Sequence, residues 1–96
     1  MHVAAALLMI HIPASQSLKD RRRVLRSLLE RTRNRFPVAA AEVGGQDTWQ
    51  YAEIGLSAVS SSANHARQVL DEAVRFVEEY SPEAIVSQVE ADVMDF

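Results

Sequence analysis

The stretch from Ser17 to Phe36, SLKDRRRVLRSLLERTRNRF, holds eight of the ten basic residues of a 96-residue chain. Arginines gathered at helical spacing do one chemistry well. Each planar guanidinium donates parallel hydrogen bonds to an oxyanion, so a row of them suits phosphate. On a helical wheel of about 100° per residue, with Leu18 at zero, Arg22, Arg33, Arg26, Lys19 and Arg23 fall between about 40° and about 140°. They form one flank, interrupted only by Glu30, with Arg31 and Arg35 on the opposite flank. Lys19, Arg21, Arg22 and Arg23 crowd the first turns, where the helix dipole is already positive. Each misplaced cation there costs roughly 0.3–1 kcal/mol at low salt. A sequence that keeps this arrangement points to an anionic partner that offsets it. RNA phosphate is the leading candidate, with Lys19, Arg22, Arg23, Arg26 and Arg33 as the expected contacts. Two duller readings stand beside it: a solvated helix face, and neutralisation by carboxylates of the same chain, Glu42 or Asp47 for instance.

Other chemistries find little support. The chain has no cysteine, hence no disulfide, thiolate nucleophile or thiolate metal site. His2, His11 and His65 lack the spacing of metal ligands. His11 reads as a strand-end residue. Serines cluster where helices begin, and capping accounts for them there. No helix follows Gly44-Gly45, so these glycines do not form a phosphate-cradling loop. No catalytic residues, metal or cofactor are expected, and the protein reads as non-enzymatic.

The formal net charge of −3 conceals a split. Residues 18–36 carry eight basic and two acidic side chains, and the rest of the chain carries two basic and eleven acidic ones. Such asymmetry informs about partners rather than fold. The apolar N-terminal run lacks a positive leader region and is too short to span a bilayer. The expectation is a buried strand in a cytoplasmic protein that does not engage membranes.

The elements that position the basic segment follow from pattern. Ninety-six residues form one domain, 1–96, with a single modest core. Residues 3–12 are continuously apolar up to Pro13 and read as a strand covered, at least partly, on both faces. Ser17 with Asp20 resembles a capping box. Leu18, Leu25, Leu28, Leu29, Thr32 and Phe36 supply the apolar sector of a helix that Pro37 ends near Phe36. Val38 to Val43 is a short strand, and Gly44 to Asp47 supplies turn chemistry. Thr48 to Val59 alternates, with Ala52, Ile54, Leu56 and Ala58 on one face and Trp49, Tyr51, Glu53 and Ser57 on the other, which completes a hairpin. Ser60 to Asn64 offers N-caps to a second helix reaching about Tyr80. Ala84 to Met94 forms the last strand.

The order β-α-β-β-α-β is a ferredoxin-like α+β sandwich, a four-stranded antiparallel sheet with both helices on one face. The other face is left open. Leu7, Met9, His11, Trp49 and Tyr51 are expected there, together with Glu53, Glu90 and Asp92. An apolar patch of this kind marks a protein contact, and face-to-face pairing into a homodimer is the alternative function. The hairpin end, with Gln46, Asp47, Trp49 and Gln50, is a candidate recognition loop.

Three motifs, His11-Ile-Pro-x-x-x-Ser17-Leu-Lys-Asp-Arg-Arg22, Arg33-Asn-Arg-Phe36 and Ala41-Glu-Val-Gly-x-Gln-Asp-x-Trp-Gln50, resemble the YlxP-like family of small bacterial proteins of unknown function. The resemblance covers nearly the whole chain. It implies a ferredoxin-like fold. Family genes often sit beside those for translation initiation and ribosome maturation factors, which implies association with RNA or the small ribosomal subunit. Leu7 and Met9 depart from the acidic residues that family members tend to carry there, so the open face here is more apolar.

Overall fold

In a computed structural model of the chain, residues 1–45, 48–80 and 82–96 are described. Strand β1 (His2–His11) leads to helix α1 (Leu18–Arg35), strands β2 (Ala39–Gly44) and β3 (Tyr51–Ser60), helix α2 (Ala63–Glu79) and strand β4 (Ile85–Asp95). The sheet order is β2-β3-β1-β4, and every neighbouring pair is antiparallel. This is the ferredoxin-like α+β arrangement that the pattern predicts.

Alternation fixes what each strand buries, because successive side chains point to opposite faces. Ala4, Ala6, Leu8 and Ile10 of β1 and Ala52, Ile54, Leu56 and Ala58 of β3 are buried. Leu25, Leu28, Ala66, Leu70, Ala73 and Val77 of the helices join them in one core. On the other face, Val3, Ala5, Leu7 and Met9 are only half-buried, since no second layer covers them.

The helix ends follow their sequence signals. Ser17 Oγ accepts from the Asp20 amide at 3.1 Å, and the Asp20 carboxylate accepts from the Gln16 amide at 3.1 Å. The first bond satisfies a backbone donor that the helix start leaves unpaired, and the second ties down the residue before the cap. At Phe36, before Pro37, the backbone is extended, and the helix stops as expected. Ser62 caps α2 by accepting from the His65 amide.

One boundary differs from expectation. Thr48, Trp49 and Gln50 are not in β3, which begins at Tyr51. Thr48 turns back instead, donating its amide and its hydroxyl to the Gly45 carbonyl at 3.3 and 3.0 Å. Those bonds hold the chain off the sheet for three residues more than alternation suggests.

Candidate functional site

Helix α1 buries Arg21, Val24, Leu25, Leu28 and Thr32. On the wheel used above these centre near 300°, rotated by about 40° from the predicted stripe. Leu18 accordingly lies 42% exposed at the edge. Arg21 stands at the middle of the buried face and is 3% exposed. Its guanidinium pairs with the Glu42 carboxylate and donates to the carbonyls of Tyr51 (3.0 Å) and Gly45 (2.9 Å). Sequence reasoning missed this residue. The signal was present, because Arg21 falls between Leu28 and Thr32 on the wheel.

The carbonyl that Arg21 grips belongs to Gly45, which has a φ of 79°. That left-handed geometry favours glycine. A Cβ there would also press on Tyr51 and the backbone of Ala52 at about 3 Å. Arg21 therefore clamps the base of the β2–β3 hairpin to the start of α1.

Four more arginines of α1 are engaged by the chain itself. Arg33 Nε donates to the Ala40 carbonyl at 2.9 Å, tying α1 to β2. The structure thus takes Arg33 out of the predicted ridge and turns it toward the sheet edge. Arg35 lies over the rings of Phe36 and Phe76, at 5.9 and 5.4 Å from their centroids. Arg31 lies 5.9 Å over Tyr80, whose hydroxyl is 2.7 Å from Ser27 Oγ. Arg23 pairs with Glu83 at 3.0 Å, with both side chains well exposed.

Lys19, Arg22 and Arg26 are exposed and make no ion pair among the described residues. With Arg23 and Arg31 they line an open trough of about 610 Å³ along the outward face of α1, together with Ser27 and Asn34. Asp20 and Glu30 are the carboxylates at its margin. Five cations face two carboxylates, and the Asp20 carboxylate is already accepting from Gln16. An open row of cations of this kind suits contact with an extended polyanion at several points rather than enclosure of a small molecule.

The predicted recognition loop fares differently residue by residue. Gln46 and Asp47 lie outside the described residues. Gln50 is structural: its side-chain amide donates to the carbonyls of Pro13 (3.1 Å) and Ser15 (3.2 Å). Trp49 is 54% exposed. It lines a shallow cleft with His11, Thr48, Gln50 and Tyr51 at one end of the sheet.

Leu7, Met9, His11 and Tyr51 occupy the open sheet face as expected, while Trp49 sits before the strand. Glu53, Glu90 and Asp92 share that face, opposite Met9, Leu7 and Ala5. Partial burial first, and then the Glu53 carboxylate, push the Tyr51 hydroxyl above its ordinary pKa, so it stays neutral. Among the described residues no group of three or more His, Asp or Glu is placed to hold a metal, and no helix is long and apolar enough to cross a membrane.

Known proteins agree with this architecture. A de novo designed protein, Foldit4, superposes with a TM-score of 0.54 at 10% identity, covering all of this chain and 99% of that one. That likeness shows the fold alone. Uncharacterized protein YlxP of Bacillus subtilis (strain 168) is 41% identical over 64 residues, covering 67% of this chain and 70% of that protein. The model of the family described as "Protein of unknown function (DUF503)" matches residues 3–90, which take in both helices, β2, β3 and the first six residues of β4. The chain belongs to this YlxP-like family, DUF503.

Proposed function

We propose that this protein is a non-enzymatic, cytoplasmic RNA- or ribosome-associated factor that binds phosphate through the outward face of α1. The observation that carries the reading is the division of labour among the cations of that helix. Arg21, Arg33 and Arg35 serve the fold, and Lys19, Arg22 and Arg26 are left facing solvent around one trough. Arg23 belongs with them. An exposed pair such as Arg23–Glu83 contributes at most about 1 kcal/mol, so a phosphate displaces the carboxylate readily.

A row of fixed cations binds and positions a polyanion; it moves no proton and needs no reacting group. Counterion release would supply most of the affinity. The gene neighbourhood that the family resemblance implies, beside translation initiation and ribosome maturation factors, agrees with this reading.

The test is the triple reversal Arg22→Glu, Arg23→Glu and Arg26→Glu, followed by sedimentation with small ribosomal subunits at low salt. Binding should be lost while the far-ultraviolet circular dichroism is kept, because carboxylates in the first turns complement the helix dipole. Sedimentation equal to wild type would refute the proposal.

A further inference from the structure

All ten lysines and arginines lie on the two helices. The strands carry none. The layer that faces away from the helices therefore carries no lysine or arginine, while Glu53, Glu90 and Asp92 stand on it. Between these carboxylates runs a half-buried apolar column on β1: Val3, Ala5, Leu7 and Met9. Val59 and Met94 flank Val3 in the same row, 62% and 42% exposed. Glu53 lies on the β3 side of the column and Glu90 and Asp92 on the β4 side, each one strand away.

The dimensions select an occupant. From Val3 to Met9 the column is about 20 Å long, at about 3.3 Å per residue. A helix of about 13 residues has that length, and its diameter of about 10 Å spans the neighbouring strands at about 4.8 Å spacing. Its apolar stripe would cover β1, and cations on both flanks would reach the carboxylates. Nucleic acid does not fit a face with carboxylates and no lysine or arginine. A second copy fits poorly as well, because stacking two such faces would bring carboxylates of both sheets together with no cation to pair them.

We propose that the open sheet face docks a cationic amphipathic helix of a protein partner, with its apolar stripe on Val3, Leu7 and Met9 and its basic flanks on Glu53, Glu90 and Asp92. This surface is separate from the α1 trough and does not depend on the RNA reading.

The probe is a synthetic peptide of about 18 residues, long enough to hold helix, made of leucine, lysine and arginine with an amphipathic pattern. Two controls accompany it: the same composition with the stripe scrambled, and the amphipathic pattern with glutamate in place of the cations. Amide and methyl chemical shifts in nuclear magnetic resonance spectra report the contact. The expected result is saturable shifts at Val3, Ala5, Leu7 and Met9 with the cationic amphipathic peptide and with neither control. The double variant Glu90→Lys and Asp92→Lys should weaken that binding about tenfold or more, and Glu90→Gln with Asp92→Asn should weaken it with less risk to the edge strand. Absence of shifts, equal binding of a control, shifts confined to α1 or to the β4 edge, or a dimer abolished by Met9→Glu would each overturn the proposal.

Discussion

Arg21 shows how one residue's role depends on which side of a helix it occupies. It is one of eight basic residues in its segment, and it is the buried one. Glu42, its partner, keeps part of its surface in solvent, so removing the arginine leaves a carboxylate that water still reaches. Arg21→Met should therefore destabilise by about 1–3 kcal/mol, below the full figure for orphaning a buried charge. The double variant Arg21→Met and Glu42→Leu should recover most of that loss; urea unfolding of the three proteins checks both statements. The sequence already held Glu42 as a partner for the basic segment. It did not show that Glu42 would choose the arginine at the core and leave Lys19, Arg22 and Arg26 without an ion pair among the described residues. That choice depends on the rotation of α1 about its axis, and Leu18 and Leu29 pulled the predicted stripe toward the wrong edge. Gln50 could not be read either: its use as a bracket for Pro13 and Ser15 depends on a contact between residues 35 and 37 positions apart.

Among the elements, the strands and helices were legible nearly throughout, because period two and period 3.6 leave different traces. The exceptions have local causes. Strand β3 starts late because Gly45 draws Thr48 back, which removes Trp49 from the sheet. Helix α1 starts where Ser17 and Asp20 said it would, and its first turns carry Lys19 and Arg22 of the proposed binding face. Ser17→Ala should cost about 0.5–2 kcal/mol. Amide exchange at Asp20, which loses its acceptor, should speed up more than exchange at Leu28 in the helix interior. Uniform exchange rates across α1 in that variant would show that the cap does not hold the turn.

For the molecule as a whole, the charge split of the sequence becomes a division between layers. Helices carry every lysine and arginine, and the opposite face of the sheet carries carboxylates and aliphatic side chains. The composition announced the asymmetry and alternation put Glu53, Glu90 and Asp92 on one face; the pairing of strands set them directly beside Met9, Leu7 and Ala5. On the proposed reading this polarity would orient the protein on a polyanion, since an acidic layer repels what a cationic one attracts.

The most direct test of the central claim, that α1 presents free cations for phosphate, is the salt dependence of binding to a single-stranded RNA. Three to four phosphate contacts predict a slope of log K against log salt of about −2 to −3, at about −0.7 per contact. Arg26→Ala should flatten that slope by about one contact, while Arg33→Ala, which removes a cation bound to the Ala40 carbonyl, should leave it unchanged. A wild-type slope near zero, or equal flattening by the two substitutions, would contradict the account.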